Sequence, residues 1–386
     1  MGLAALRVGF LGDVFSVYEK SGIYHYAEAI LSGLVQKGSN ILLFVPSTVD
    51  AIKLENVETK VADYFGVSRV KSKAILPNLR YCPRNLKLSV DLNREVDVVY
   101  SPQCRVTDLP YFLNLKIPML TTLHDVHGLV VQNPLAYRIR FILRYTSPML
   151  LSKKRRFYLA VPTDCVKKQV TQYLHIPAEK IRTVPAPVSV PSSISRMSKE
   201  EAKELVKTFC ATDYALFIGR QKAVPTILSV SKLLKEKYGS AMTVIIAGLG
   251  IDKLETQKLI NELGLGASVL VIGEMSEYFK WVLLKGARVF VFPSTAGFGI
   301  PPVEAMSVGT PVVATNTGPL PEVIAEGGLL VEYSAEKLAE SVYQVYTDSQ
   351  LSKRLEYAGK SRAEFFQLKK IAAILLQYLG DLAQIN

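Results

Sequence analysis

The feature that most constrains the fold is an alternation of short apolar runs with segments of helical periodicity. Leu6–Leu11 is an apolar run that ends at Gly12, and Gly22–Lys37 then carries apolar residues at helical spacing. A second apolar run follows at Ile41–Val45. Strands that are apolar throughout and alternate with amphipathic helices are typical of a parallel sheet that is covered by helices on both faces. The sequence therefore predicts an α/β architecture.

The same alternation continues through the 386-residue chain, which is long enough for two domains. The further apolar runs are Val96–Tyr100, Met119–Leu123, Phe157–Val161, Tyr214–Ile218, Thr243–Ala247, Val269–Ile272, Val289–Phe292 and Pro311–Ala314. Between the third and fourth of these, Thr183–Ser195 is rich in Pro and Ser and lacks a helical period, which is typical of an interdomain linker. We therefore expect two doubly wound, Rossmann-like sheets, in which ligands bind at the carboxyl ends of the strands.

The composition narrows the class of protein. A hydrophobic fraction of 49% with 21% charged residues is that of a globular chain. Four widely spaced cysteines without a CxxC pair argue against a zinc site and a disulfide framework, and they fit a reducing, cytoplasmic compartment. No apolar run reaches about 18 residues, so no membrane span is predicted, and LRVGFLG is expected to be a first strand and not a signal peptide. Unless it serves solubility, the net charge of +12 suggests an anionic partner: anionic lipid, a lipid phosphate or nucleic acid.

The segment most informative about function is Val291–Glu332. Gly297 and Gly299 lie in a turn after an apolar strand, and a Pro-Pro pair then fits the first turn of a helix. A glycine loop that opens a helix at the carboxyl end of a strand favours phosphate, because backbone N–H groups and the helix dipole both attract an anion. Glu304 lies about one turn into that helix, where it can accept hydrogen bonds from sugar hydroxyls such as those of a ribose. The segment therefore predicts a nucleotide-sugar diphosphate pocket.

The run GFGIPPVEAMSVGTPVVATNTGPLPEVI, which starts at Gly297, resembles the donor-site signature of retaining, Leloir-type glycosyltransferases of the GT-B fold. These are the family 4 enzymes, or glycosyl transferases group 1. The resemblance implies two Rossmann-like domains facing across a cleft: an acceptor-side domain over 1–190 and a nucleotide-sugar-binding domain over 196–367. The C-terminal helix, 368–386, would pack back on the first domain. The implied reaction moves a hexose, with retention, from a nucleotide diphospho-sugar of UDP-glucose or GDP-mannose type to a glycan or lipid-linked acceptor.

The resemblance also assigns site residues. The donor-binding residues that it implies are Gly22, Gly219, Gly297, Phe298, Gly299, Ile300 and Glu304. Arg220 and Lys222 follow the first strand of the second domain, and both suit a diphosphate leaving group. The guanidinium of Arg220 is a planar fork, and the ammonium of Lys222 is a mobile point charge. His124 ends the strand TTLH in the first domain, where the family has a His-Asp close to the donor sugar and acceptor. These three are expected to be catalytic; the alternatives are a solvated basic turn and a structural histidine.

No cofactor is implied, and no metal ion. The chain has no Asp-x-Asp motif in a suitable loop, and Arg220, Lys222 and a helix N-terminus already supply positive potential.

One position departs from the family pattern. The family has a Glu just before the GFG, and this chain has Ala296 there, in a loop from Ser294 to Gly297 that is one residue short. In the family that Glu contacts the donor sugar. A backbone group or water can replace it, or the activity is weak, or the chain was altered at this position. The alternative hypothesis is a non-catalytic nucleotide-sugar-binding or scaffold protein at a membrane surface.

A basic stretch lies between Asp125 and Asp164, where no acidic residue occurs. Its cations are Arg138, Arg140, Arg144, Lys153, Lys154, Arg155 and Arg156, with aromatic and aliphatic residues interleaved. A basic amphipathic helix beside a basic cluster is typical of attachment to an anionic membrane surface, here the inner face. An ordinary solvated face is the alternative. Nucleic acid is not expected as a partner, because no helix-turn-helix, zinc or RNA-binding signature accompanies the charge.

Overall fold

The computed structural model describes residues 6–17, 22–46, 57–61, 82–104, 114–126, 145, 148–294 and 297–385. The chain divides into two units, Met1–Pro187 with Leu368–Asn386, and Val188–Gln367. The strands are β1 (Arg7–Leu11), β2 (Asn40–Val45), β3 (Glu58–Val61), β4 (Val98–Ser101), β5 (Met119–Thr122), β6 (Phe157–Val161), β7 (Ile181–Thr183), β8 (Tyr214–Ile218), β9 (Thr243–Ala247), β10 (Val269–Gly273), β11 (Val289–Phe292), β12 (Val312–Thr315) and β13 (Leu329–Val331). The helices are α1 (Val14–Val17), α2 (Gly22–Gln36), α3 (Cys82–Glu95), α4 (Asp164–Leu174), α5 (Ser192–Arg196), α6 (Lys199–Val206), α7 (Val224–Glu236), α8 (Lys253–Glu262), α9 (Glu277–Gly286), α10 (Ile300–Ser307), α11 (Leu320–Ile324), α12 (Ala335–Thr347), α13 (Ser349–Ala363) and α14 (Leu368–Ala383).

The first unit is built on a parallel sheet of seven strands in the order β3-β2-β1-β4-β5-β6-β7. The central strand β1 pairs with β2 on one side and with β4 on the other. Almost every residue of these three strands is buried, as expected for strands that helices cover on both faces. The strand order reverses between β1 and β4, and ligands of doubly wound sheets bind at the carboxyl ends of the strands beside such a reversal.

The C-terminal helix α14 packs against α2 within the first unit. A Cβ on Gly33 of α2 would lie 2.8 Å from the Leu368 Cδ1 atom and 2.9 Å from the Ala372 Cβ atom. Glycine at this position therefore lets the two helices approach closely. Buried residues such as Ile371, Leu375 and Leu379 recur every fourth position and form the apolar stripe of α14.

The second unit is built on a parallel sheet of six strands in the order β10-β9-β8-β11-β12-β13. The order reverses between β8 and β11, which pair directly. Because all the pairs are parallel, the carboxyl ends of these strands meet at one edge of the sheet. The turns that leave this edge carry the donor-binding residues that the sequence predicted in this unit, whereas Gly22 lies in the first unit.

The predicted fold class, α/β with two doubly wound Rossmann-like sheets, is confirmed. The predicted apolar runs match strands at β1, β2, β4, β5, β6 and β8–β12 to within two residues at each end. The edge strands β3, β7 and β13 were not predicted, because they are short and half-exposed and so lack a continuous apolar run. The expected linker Thr183–Ser195 also contains more structure than predicted: α5 starts at Ser192, and Val188 bridges Gln367.

Candidate functional site

At the carboxyl ends of β8, β9 and β10, main-chain groups of adjacent strands are hydrogen-bonded to one another without side chains between them. The Gly219 amide donates to the Ala247 carbonyl oxygen at 3.0 Å, and the Gly248 amide donates to the Gly273 carbonyl oxygen at 2.8 Å. Gly248 has a φ of +136°, and a Cβ there would lie 2.1 Å from the Gly219 carbonyl oxygen. Only glycine fits this position. Main-chain groups of adjacent strand ends are therefore held side by side at this edge.

A basic turn leaves the same edge directly after β8. It forms a single 3₁₀ turn, Gln221–Ala223, that leads into α7. The side chains of Arg220 and Lys222 are exposed. Neither cation forms a salt bridge with a carboxylate in the part of the chain that the structure describes. Two unpaired cations beside glycine backbone are suited to an anion with several oxygens.

Gln221 anchors this turn to the start of α8. Its Oε1 atom accepts a hydrogen bond from the Asp252 amide at 3.0 Å, and its Nε2 atom donates to the Glu255 carboxylate at 3.1 Å. Asp252 in turn caps α8 by accepting from the Glu255 amide at 3.0 Å. Sequence reasoning missed Gln221, because its partners lie more than thirty residues further along the chain.

The loop into α10 has the backbone that the sequence predicted. Gly299 is the N-cap residue with φ 84° and ψ 52°, and Gly297 has φ 87°. A Cβ on Gly299 would lie 2.8 Å from the Leu320 Cδ2 atom, so both conformation and space favour glycine. The Phe298 ring is buried and packs edge-on against Phe366, at 5.6 Å between ring centroids. Phe298 therefore anchors the loop with its ring; Thr295 and Ala296 lie outside the described residues.

Glu304, one turn into α10, forms a buried ion pair that the sequence did not indicate. The Lys280 Nζ atom of α9 lies 2.7 Å from the Glu304 Oε1 atom, and the two side chains are 15% and 10% exposed. The same ammonium lies 2.7 Å from the Glu277 Oε2 atom, on a side chain that is 55% exposed. A carboxylate offers about four lone-pair positions on two oxygens, so Glu304 is able to accept hydrogen bonds from several donors at once.

The two carboxylates decide the charge of Lys280. Burial lowers the pKa of its ammonium, but the attraction and hydrogen bonds of Glu304 and Glu277 outweigh that effect and raise the pKa above its ordinary value. Lys280 is therefore charged at neutral pH. Its helix, EYFKWVLLKG, gives no signal of this role, because the partner Glu304 lies 24 residues further along the chain.

In the first unit, His124 follows the carboxyl end of β5. Its Nε2 atom lies 2.9 Å from the Pro102 carbonyl oxygen, which can only accept. Nε2 therefore carries a proton, and in the neutral ring Nδ1 is the acceptor. The ring also meets the Tyr26 ring edge-on, at 4.9 Å between centroids and 89° between planes. The imidazole is thus oriented from two sides.

Three buried hydroxyls lie behind His124. The Tyr26 hydroxyl lies 2.9 Å from the Tyr100 hydroxyl, which lies 2.8 Å from the Thr122 hydroxyl. Burial raises the pKa values of Tyr26 and Tyr100, so both phenols are neutral at physiological pH. Sequence reasoning missed this network, since its members come from α2, β4 and β5. Gly22, the first residue of α2, is exposed, and a Cβ there would meet no described atom within 4 Å.

Comparison with known proteins shows which family and which relatives the chain resembles. Residues 212–362 match the family model described as glycosyl transferases group 1. The chain is 27% identical to the O-antigen chain mannosyltransferase RfbU of Salmonella typhimurium, over 76% of this chain and 80% of that protein. It is 26% identical to the MMP alpha-(1->4)-mannosyltransferase of Mycolicibacterium hassiacum, over 72% of this chain and 69% of that protein. Residues 212–362 therefore match the group 1 glycosyltransferases, and the relatives that the chain resembles over most of its length are glycosyltransferases.

Solved structures show that this glycosyltransferase has the GT-B fold class expected from the sequence. It resembles sucrose-phosphate synthase from Thermosynechococcus elongatus with a TM-score of 0.77, at 17% identity over 98% of this chain and 99% of that one. It resembles Anabaena HepE, crystallised with UDP and glucose, with a TM-score of 0.74, at 17% identity over 97% of this chain and 100% of that one. At these identities the likeness concerns the fold alone.

The basic stretch of the glycosyltransferase is described only in part, since Arg138, Arg140 and Arg144 lie outside the described residues. Lys153–Arg156 directly precede β6, and Lys180 directly precedes β7. The Lys180 Nζ atom donates to the Lys154 carbonyl oxygen at 3.0 Å, and it lies 4.5 Å from the Tyr158 ring centroid. We call these five cations the basic edge. They lie at the amino ends of their strands, whereas His124 lies at the carboxyl end of β5, on the opposite edge of the sheet. In the described part of the chain, no helix has the length and apolar character needed to cross a membrane.

Proposed function

We propose that this glycosyltransferase moves a hexose, with retention and without a metal ion, from a nucleotide diphospho-sugar to a glycan or lipid-linked acceptor. The observation that carries the proposal is the turn after β8, where Arg220 and Lys222 are exposed and have no carboxylate partner among the described residues. A diphosphate supplies the negative charge and the acceptor oxygens that such a turn lacks. Two relatives named as mannosyltransferases support a hexose donor, of GDP-mannose or UDP-glucose type.

The chemical step follows from charge that develops on the leaving diphosphate. Arg220 and Lys222 stabilise that charge more in the transition state than in the ground state. The N-terminus of α10, with the backbone of Gly297 and Gly299 before it, adds the positive end of a helix dipole. The acceptor hydroxyl enters on the face that the diphosphate leaves, so positioning of the two reactants supplies much of the remaining rate enhancement.

Glu304 and His124 have separate tasks in this proposal. Glu304 accepts hydrogen bonds from the ribose hydroxyls of the nucleotide while Lys280 stays paired with its carboxylate. His124, oriented by Pro102 and Tyr26, contacts the acceptor that the first unit binds. Gly22, Gly219, Phe298 and Ile300 stay predictions as donor-binding positions.

The direct test is incubation of the purified protein with a panel of nucleotide sugars, followed by mass spectrometry of the nucleotides and sugars released. We expect release of one nucleoside diphosphate with hydrolysis or transfer of its sugar. Lys222→Ala should suppress that release. Lys232→Ala, which removes a lysine of α7 whose side chain is 44% exposed and forms a 4.0 Å pair with Glu236, should not. Release from no member of the panel would contradict the proposal.

Ala296 favours one second candidate function. Because the family's donor-sugar Glu is absent there, the protein could bind a nucleotide sugar without turning it over, as a scaffold at a membrane surface. Binding of a nucleotide sugar by calorimetry, without any release of product, would support this candidate. Introducing Ala296→Glu then distinguishes a lost activity from one that uses other groups: a gain in rate or a change in sugar preference shows that this carboxylate was missing from the pocket.

A further inference from the structure

We propose that Lys280 is a positioning residue of the donor site. It holds the Glu304 carboxylate in the orientation in which this group accepts hydrogen bonds from the ribose hydroxyls of a nucleoside diphosphate. The inference rests on the proposed function of the same site and adds to it a residue that discriminates ribose from deoxyribose.

The topology brings the two side chains to one edge of the sheet. The helix α9 starts shortly after β10, and α10 starts shortly after β11, so both helices begin at the carboxyl ends of parallel strands. Lys280 and Glu304 each lie about one turn inside their helix. Their charged atoms meet at 2.7 Å, close to the glycine loop that opens α10.

A glutamate at this position needs such a partner. Its side chain is only 10% exposed, and a lone carboxylate is strongly disfavoured where water is excluded. A free Glu side chain also samples many rotamers, and ordering them on binding weakens affinity. An ammonium fixed on Oε1 removes both penalties before the ligand arrives.

The surroundings of the ammonium make the inner pair the tighter of the two. Glu277 is 55% exposed, so solvent and salt screen its attraction to Lys280, whereas Glu304 is nearly buried. The ring of Trp281 lies 5.1 Å from the same Nζ atom. Glu277→Gln is therefore a matched control, because it removes a carboxylate from the same ammonium without disturbing the inner pair.

The test compares ribose with deoxyribose. Calorimetry measures the affinity of each variant for UDP, GDP and their 2′,3′-dideoxy analogues. In the wild type we expect the ribose form of the preferred nucleotide to bind at least about tenfold more tightly, as for loss of hydrogen bonds to a charged group. Lys280→Met should reduce that preference to near unity, Lys280→Arg should restore most of it, and Glu277→Gln should leave it unchanged. A purely electrostatic effect of Lys280 on the diphosphate would weaken both sugars equally and keep the preference, which would overturn the inference.

A double-mutant cycle separates positioning from a general structural role. In a Glu304→Gln background, Lys280→Met should no longer change the ribose preference, because the group that it positions is gone. Equal losses in both backgrounds overturn the inference. Trp281 is the only tryptophan in the chain and lies beside Lys280, so its fluorescence checks that each variant is folded. If Lys280→Met does not fold, Lys280→Gln is measured in the same way, and an unchanged preference there is contrary evidence.

The outcomes for Lys280 and for the proposed function are distinct. A wild type that binds neither UDP nor GDP contradicts the proposed function itself. A wild type that binds one of them with a ribose preference, which Lys280→Met retains, contradicts only the role of Lys280.

Discussion

The two units have the same strand order around their central strands, but the groups at the carboxyl ends of those strands are neutral in the first unit and charged in the second. In the first unit the groups behind His124 are neutral: two phenols and a threonine hydroxyl, all buried and bonded to one another. In the second unit they are charged: the exposed cations Arg220 and Lys222, and the buried pair of Lys280 with Glu304. One fold thus supports either kind of site, and the residues in the strand-end turns decide which.

The difference matches the two halves of a glycosyl transfer. A departing diphosphate gains negative charge, which free cations stabilise. An incoming hydroxyl is uncharged, and a neutral imidazole held at a fixed angle is suited to it. The comparison therefore predicts that charge removal in the second unit affects turnover most, and that changes in the hydroxyl network behind His124 leave nucleotide binding intact.

The largest effect is expected from Lys222→Ala. Loss of a cation that acts on the leaving group should lower kcat by one to three powers of ten, about 1.4–4 kcal/mol of transition-state stabilisation. Steady-state kinetics with the preferred donor measures it, with Lys232→Ala as the control. A change confined to KM would show that Lys222 helps only to bind the donor, and the contrast between the units would then be one of affinity and not of catalysis.

Glu304→Ala should have the next largest effect. Removing a charged hydrogen-bond acceptor from the ribose should weaken nucleotide and nucleotide-sugar binding together, by about 1–3 kcal/mol. Lys280 keeps Glu277 as a partner in this variant, so we expect the unit to remain folded. Calorimetry with the nucleoside diphosphate checks this, and Glu277→Ala is the control. Unchanged affinity in Glu304→Ala would remove Glu304 from the donor site.

Tyr26→Phe tests the neutral site of the first unit. The variant keeps the ring that contacts His124 and loses only the hydroxyl bonded to Tyr100, which retains its bond to Thr122. We expect the free energy of unfolding to fall by about 1 kcal/mol, without change in nucleotide affinity. Urea unfolding measures this by circular dichroism, while Trp281 fluorescence follows the second unit alone. Tyr357→Phe, on a side chain that is 80% exposed, is the control. A matching loss of nucleotide affinity in Tyr26→Phe would contradict the division of tasks between the units.

How much of the structure the sequence could predict depends on whether a feature is set by local or by distant interactions. The buried central strands are continuous apolar runs, and the start of α10 is fixed by Gly299 and the prolines after it, so both were predictable. The sheet edges were not, because strands such as β7, with the sequence IRT, resemble loops.

The interactions that orient the site were also beyond sequence reasoning. Lys280 and Glu304 are 24 residues apart, and Gln221 is 31 residues from Asp252. Helical periodicity reports which face of a helix is buried. It does not report which charged side chain on a distant helix will meet a given carboxylate, since that depends on how the strands are ordered in the sheet.

Among these predictions, the smallest effect per residue is expected for membrane binding by the basic edge. The charge of the basic edge lies away from the carboxyl ends of the strands, so it is a test of the first unit that is independent of the neutral site at His124. If it docks on an anionic membrane, each cation contributes about 1 kcal/mol, and binding weakens as salt shortens the Debye length to about 3 Å at molar ionic strength. Co-sedimentation with liposomes that contain anionic lipid should therefore fall about fivefold for Lys154→Ala and be abolished when Lys153, Lys154, Arg155 and Arg156 are all changed to Glu.

The control for the basic edge follows from its position. Because these side chains lie on the sheet edge opposite His124, the fourfold variant should retain the nucleotide affinity of the wild type, whereas a general loss of fold would remove it. Reversal of Lys232 and Lys258, whose side chains in the second unit are 44% and 78% exposed, should leave sedimentation unchanged. Equal sedimentation with neutral liposomes, or none with anionic ones, would mean that the positive charge of the first unit serves solubility, and only the charge of the second unit would then have a ligand.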